Sequence, residues 1–322
     1  MDNITHTLAG ALLGQMGLKR RSRFGMAACL LGANAPDIDV FAPLVLPVDG
    51  IMFHRGPIHG VFAWPVLAAG IVAILWLVDR LRPNPQVPFR PGPLFVAALL
   101  AVLSHPFLDW LTSYAIALFS PASWRWYSGN AIFIVDWVYW LLMIAGIAWS
   151  AVLWRRNSPN PGRPARIAGL IMLGYIGFNL GESARVEEAA TQELRSRGFD
   201  PTLVIASPPP IAFWERSILW RDAHIFGSGT YDFEHGLQLD AEIQPLRLDD
   251  PRLARARASQ RYVRSFLVWS RMPIVVVIGG RTYLSDQRFY GPLRARSVPR
   301  WVRRFFGGHA FLIPLDIPAS SS

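Results

Sequence analysis

The first 181 residues of this chain consist of long apolar runs separated by clusters of arginine and lysine, and no other feature limits its fold so sharply. A helix needs about 20 apolar residues to cross the hydrocarbon of a bilayer, where each backbone polar group must find its partner inside the protein. Runs 61–79, 94–112, 133–154 and 166–181 come close to that length. Run 24–46 is also long enough but is polar in its middle, at Asn34, Asp37 and Asp39. Run 4–18 is short, and suits a half-inserted or re-entrant helix. The sequence therefore predicts an α-helical polytopic membrane bundle of five to six spans over residues 1–181, the shortest a candidate re-entrant helix. An apolar fraction of 52% with 17% charged residues agrees with this class.

Basic residues then orient the spans. Lys19 to Arg23, Arg80 to Arg90 and Arg155 to Arg166 occupy every second connection, so the positive-inside rule assigns all three to the cytoplasm. Connections 47–60 and 113–132 then face outward, and so do residues 182–322, because a long domain's own arginines have little influence on topology. Asp2 precedes the first apolar run and Lys19, Arg20, Arg21 and Arg23 follow it, the reverse of a cleaved signal, so a retained N-terminus is expected.

After run 166–181 an exposed helix is expected through Ala184 to Arg197, ending at Gly198. Pro208, Pro209 and Pro210 break the chain. Leu237 to Ile243 alternates apolar with polar residues, and Ile274 to Ile278, Gly279-Gly280 and Thr282 to Leu284 read as a hairpin. Residues 182–322 are thus a small β-rich extracytoplasmic domain introduced by a helix. The net charge of +10 invites nucleic-acid binding, yet no recognisable module accompanies it, so no nucleic-acid partner is expected and the arginines read as loop anchors and solvated surface. Cys29, the single cysteine, rules out an intrachain disulfide and reads as inert packing.

Ionisable residues inside or bordering membrane spans are costly, and each cluster of them is a functional candidate. Asp2 and His6 are spaced i and i+4 on one helical face, which Gly10, Gly14 and Gly17 continue as a surface for close approach. Asp2 also suits an N-cap. Asn34-Ala35-Pro36-Asp37-Ile38-Asp39 places two carboxylates beside a helix-breaking proline; capping would explain one of them but not both. His54-Arg55-Gly56-Pro57-Ile58-His59 sets two imidazoles across a Gly-Pro turn, able to converge on one ion, with Arg55 able to hold a phosphate or carboxylate. Ser104-His105-Pro106-Phe107-Leu108-Asp109 repeats the i, i+4 spacing, with Asp109 a ligand or an orienter of His105. By the predicted topology all four clusters meet in the outer half of the bundle.

Imidazole and carboxylate without thiolate suit Zn²⁺, Mn²⁺ or Fe²⁺, as one ion or two. The metal ligands expected are His6, Asp37, Asp39, His54, His59, His105 and Asp109, with Arg55 stabilising developing negative charge and Asp39 among the candidate bases. In the outer loop Trp124-Arg125-Trp126-Tyr127, the aromatics read as a membrane anchor and Arg125 as a candidate for a lipid phosphate. Asp136 either adds a ligand or caps the span it opens.

The motifs beginning at Asp2, Gly32, His54 and Ser104, in that order, resemble the YdjM-like membrane-bound metal-dependent hydrolases of the inner membrane. Ala35-Pro36-Asp37-Ile38-Asp39 and His105 with Asp109 are also distantly similar to zinc-dependent phospholipase C, where such residues bind a zinc cluster on a helical fold. The resemblance covers roughly residues 1 to 180, with weaker similarity around Trp214 to Phe233; Ile58 and Gly60 stand where relatives more often carry hydroxyl residues. It implies a multi-pass inner-membrane protein that hydrolyses a phosphoester or ester, with membrane lipid as environment and candidate substrate. Two other classes fit the residues: an ion- or proton-coupled transporter, and a non-enzymatic assembly protein stabilised by metal.

Overall fold

The structure, a computed structural model, describes residues 1–291, 293 and 295–316. By packing, the chain divides into two units: Met1–Gly129 with Ile134–Phe178, and Asn130–Phe133 with the residues from Asn179 onward.

The first unit is helical. In chain order it contains α1 (Asn3–Gln15), α2 (Gly25–Asn34), single turns α3 (Ala42–Val45) and α4 (Gly50–Phe53), α5 (Ala63–Leu81), α6 (Pro91–Trp110), α7 (Trp137–Arg155) and the start of α8 (Arg163–Ser196). Among the described residues, Gly25–Val45, α5, α6, α7 and α8 are long and apolar enough to cross a membrane. At 13 residues α1 rises only about 20 Å, too little for hydrocarbon about 30 Å thick, so five spans stand rather than six. Pro36 ends α2, and Ala35–Phe41 continues as a tighter 3₁₀ segment. Asp2 caps α1 by accepting from the Thr5 amide at 3.0 Å, and Asp136 caps α7 by accepting from the Tyr139 amide at 3.0 Å and the Tyr175 hydroxyl at 2.9 Å. Of the two roles left open for Asp136, the structure gives the cap.

Small residues set the helix spacing. A Cβ at Gly10 of α1 would lie 2.6 Å from the Cys29 carbonyl oxygen, and one at Gly32 of α2 would lie 2.7 Å from the Ala98 carbonyl oxygen of α6. Without hydrophobic drive between helices in lipid, such close contact is what holds them together. Gly17, read in sequence as part of this face, instead ends α1 at φ 132° with nothing near it. We expect Gly32→Val to destabilise the bundle by about 1–3 kcal/mol or more, because a backbone carbonyl cannot move aside. Gly70→Ala, where a Cβ meets nothing within 4 Å, should be neutral to thermal unfolding in detergent. Equal stability of Gly32→Val and the parent chain would refute this packing.

The basic connections gather at one end of this unit. Arg23 Nη1 pairs with Asp79 Oδ1 at 2.6 Å, the Arg23 amide donates to the Pro88 carbonyl at 3.1 Å, Lys19 and Arg20 lie over the Trp154 ring, and Arg166 Nη1 donates to the Met16 carbonyl at 2.9 Å. Residues 19–23, 79–90 and 154–166 therefore share one end, as alternating connections of an up-and-down bundle must.

The second unit holds the rest of α8 and the strands. A four-stranded antiparallel sheet runs β1 (Leu203–Ser207), β2 (Glu215–Arg221), β3 (Ile225–Asp232) and β4 (Gly236–Pro245) in sequence order. Helices α9 (Pro251–Ser259) and α10 (Arg261–Trp269) follow, then β5 (Pro273–Ile278) and β6 (Arg281–Asp286). The β5–β6 hairpin turns at Gly279 and Gly280, both at positive φ, as a two-residue turn of this type requires. A two-residue ladder joins β7 (Tyr290–Gly291) to β8 (Gly308–His309), α11 (Arg300–Phe306) lies between them in sequence, and β9 (Ile313–Pro314) pairs with β6. One expectation is corrected here. The helix expected to be exposed from Ala184 to Arg197 buries Val186, Ala190 and Leu194, a stripe four residues apart, and the first two pack with Ala206 and Ile218 of the sheet.

Candidate metal centre

His6 lies in the first turns of α1, Asp37 and Asp39 in the 3₁₀ segment beyond the Pro36 break, and His54 and His59 in the connection before α5. His105 and Asp109 lie in the last turns of α6. All are near the end of their element away from the basic connections, so chain direction alone delivers them to the same end of the unit. The structure brings these seven side chains into three overlapping groups: His6, His105 and Asp109; Asp37, His59 and His105; Asp37, Asp39 and His54.

His105 and His59 are both held from behind. His105 Nδ1 lies 2.7 Å from the Ala33 carbonyl oxygen, which can only accept, so this nitrogen carries the proton. His59 Nδ1 lies 2.9 Å from Asp39 Oδ2. The Nε2 atoms of the two rings face each other at 3.1 Å. Two carboxylates join them. Asp37 Oδ1 is 3.3 Å from His105 Nε2 and 3.6 Å from His59 Nε2, and Asp109 Oδ2 is 3.5 Å and 3.4 Å from the same atoms. His6 stacks on His105 with ring centres 3.6 Å apart; it is fully buried, and neither of its nitrogens has a hydrogen-bond partner. Its Nε2 is 3.6 Å from Asp109 Oδ1. Buried polar atoms are normally paired, and unpaired ones that converge on one spot are what a cation would satisfy. This donor set fits a divalent metal with nitrogen and oxygen ligands.

Asp39 stands behind the imidazoles. It is 1% exposed, its Oδ1 is 2.8 Å from His54 Nδ1, and its Oδ2 lies 2.9 Å from His59 Nδ1 and accepts from the Arg55 amide at 3.1 Å. Asp37 is 16% exposed and is the more accessible of the two carboxylates.

Arg55, at φ 62°, holds two of the acids at once. Its amide binds Asp39, while its guanidinium meets Asp109 Oδ1 at 3.0 Å, approaches Thr112 Oγ1 at 3.5 Å and lies over the Tyr114 ring. Burial pushes this guanidinium down to about 10, against the pull of Asp37, Tyr114 and Asp39, so it stays charged at neutral pH. The Met1 amino group also contacts Asp109 Oδ1. The two oxygens of Asp109 are thus divided: Oδ1 takes the cations, and Oδ2, without a hydrogen-bond partner, faces the imidazoles. Arg125 is not brought into the cluster. Its side chain is exposed and lies over the Tyr127 ring.

Four contributors escaped the sequence reading: the Ala33 carbonyl, Thr112, Tyr114, and Trp64, whose indole donates to the His59 carbonyl at 2.9 Å. Trp64 and Tyr114 carried a signal, each being an aromatic with a polar end near a motif; a backbone carbonyl carries none. Gly60, flagged as a departure, has its reason here, since a Cβ would lie 2.8 Å from the Ser120 carbonyl oxygen. An apolar cavity of about 490 Å³ also runs along α6, lined by Trp64, Leu103, Phe107, Trp110, Ile116 and Leu118. Positions 103, 107 and 110 form a stripe about half a turn away from His105 and Asp109. The cavity is therefore separate from the centre itself.

The chain is 28% identical over 251 residues to the uncharacterized protein YfhP of Bacillus subtilis, a stretch covering 74% of this chain and 71% of that protein. No solved structure matches it. The model of the YdjM inner membrane protein family matches residues 1–186, the whole of the segment that carries the spans and the His and Asp cluster. This multi-pass membrane protein therefore belongs to the YdjM inner membrane protein family.

Proposed function

We propose that this protein is a membrane-bound metal-dependent hydrolase acting on a phosphoester or ester of a lipid. The observation that supports this most is the convergence of the His59 and His105 Nε2 atoms, 3.1 Å apart and flanked by Asp37 and Asp109. His6, His59, His105, Asp37 and Asp109 would hold one ion, and His54 with the outer face of Asp37 would hold a second; zinc suits this set best, with manganese or iron as substitutes. A divalent ion held there supplies Lewis acidity toward a phosphoryl or acyl oxygen and acidifies water.

The chain's own groups do the rest. Asp39 orients His54 and His59 through their Nδ1 atoms and in this reading is a positioning residue. Arg55 holds Asp109 and offsets its charge, which keeps so acidic a pocket from repelling an anionic ester. The centre sits within a bundle of membrane-length helices, which favours a lipid over a soluble ester. By the positive-inside rule the basic connections belong in the cytoplasm, which supports an outward-facing centre. A transporter would need ionisable residues through the full membrane depth; α7 carries no Asp, Glu or His inside it.

The test is hydrolysis of a chromogenic phosphodiester and a lipid panel by the purified protein with Zn²⁺ or Mn²⁺. Turnover should be lost in His105→Ala and kept in Arg195→Ala, an exposed position on α8. No turnover on any ester by a metal-loaded protein would refute the hydrolase reading.

A further inference from the structure

Helix α11 is short, and its exposed side is rich in residues that water-facing surfaces usually avoid. Val302 is 2% exposed and locks the helix onto Ala212, Ala295 and Val298. The other side carries Trp301 at 72% exposure and Phe305 at 78%, spaced i and i+4, with Arg304 between them and Arg300 one residue before. Arg303 is partly exposed, and no acidic residue occurs in the sequence between Asp286 and Asp316. Isolated exposed apolar residues are ordinary, but two large aromatics set among three arginines on one helix form an amphipathic, cationic surface.

Chain connectivity says what that surface meets. Phe306, the last residue of α11, packs edge-on against Phe133 with ring centres 5.1 Å apart. Phe133 is four residues before Trp137, where the membrane-length helix α7 begins. Four extended residues reach at most about 14 Å, so the Phe133 backbone stays within that distance of the end of a span and the Phe306 ring lies only side-chain lengths beyond it. The headgroup layer occupies about 5–8 Å on each side of the hydrocarbon, and Trp and Arg concentrate there.

We propose that α11 is a bilayer-surface anchor: Trp301 and Phe305 seat among lipid headgroups while Arg300, Arg303 and Arg304 engage anionic lipid phosphates. Each arginine near an anionic surface contributes about 1 kcal/mol, too little to recruit a free protein by itself. Tethering raises the effective concentration of the bilayer, so even weak contact is occupied. The anchor works independently of any chemistry at the His and Asp centre.

The test uses the full chain with Cys29→Ala and Phe305→Cys, nitroxide-labelled and placed in nanodiscs of phosphatidylcholine with or without a quarter phosphatidylglycerol. In the anionic discs the label should be several-fold more accessible to oxygen than to a water-soluble nickel chelate. Adding Arg300→Ala with Arg304→Ala should return it to the accessibility of the pure phosphatidylcholine discs. A label at Gln192→Cys, on the exposed side of α8, should stay open to nickel throughout. Nickel access at position 305 that ignores both lipid charge and the arginines overturns the proposal. So does shielding that appears in detergent only as protein concentration rises, which would assign the surface to a second copy of the chain.

Discussion

Asp109→Asn is expected to cost the membrane unit about 3–5 kcal/mol and to abolish metal binding, two losses with separate causes. The carboxylate is 1% exposed and its Oδ1 is the partner of the buried Arg55 guanidinium. Removing that charge leaves the guanidinium and the Met1 ammonium in a low-dielectric interior without their shared ion-pair partner, the situation in which broken buried pairs are most damaging. The second cause is Oδ2, which faces His59 and His105 and would be replaced in part by an amide donor that repels a cation. The double variant Arg55→Met with Asp109→Asn separates them. It keeps the Arg55 main-chain bond to Asp39 and removes the unpaired guanidinium but not the Met1 ammonium, so stability should recover in part while metal affinity does not. Unfolding in detergent mixtures and a metal titration on the same preparations read the two effects. Full recovery of metal binding in the double variant would mean that Asp109 only neutralises Arg55.

Asp39→Asn should leave the fold intact and weaken metal binding by about 10–100-fold, the usual cost of losing a carboxylate that orients a ligating histidine. An amide at this position offers one acceptor where the structure needs acceptors for both His54 Nδ1 and His59 Nδ1, with the Arg55 amide besides. Its NH₂ group would confront one imidazole N–H, turning that ring or moving its proton to the nitrogen that should face the ion. Asp37→Asn, which changes an atom within 3.3 Å of His105 Nε2, should cost more than Asp39→Asn. Competition against a chromogenic chelator measures both. The reverse order would make Asp39 the ligand and Asp37 the bystander.

The sequence exposed the bundle because each span is a local pattern, and the cluster because charge inside such a span has no cheap structural use. His6, the Asp37 and Asp39 pair, the two loop imidazoles, and His105 with Asp109 were all legible, and the topology even placed them at one end. Their division of labour was not. Whether Asp39 faces the ion or the back of His59 depends on how the 3₁₀ turn after Pro36 directs two acids two residues apart, a rotation of about 240° that composition does not encode. Likewise Arg55 reads in sequence as free to grip a substrate, whereas its partner Asp109 lies on a helix 54 residues later. In the second unit, the β4 alternation and the β5–β6 hairpin were legible from period and glycine. Helices α9, α10 and α11 were not, since each is only about two to two and a half turns of arginine-bearing sequence whose buried residues, such as Val302, make sense only against segments distant in sequence, here Ala212.

The most direct measurement is the metal content of the purified protein, by elemental analysis, beside that of His105→Ala. The parent chain should carry at least one equivalent of zinc, manganese or iron through gel filtration, and the variant, though folded, should lose it. A folded parent chain that retains no metal after growth with zinc supplied, or a His105→Ala variant with undiminished content, would contradict a cation held between His59 and His105.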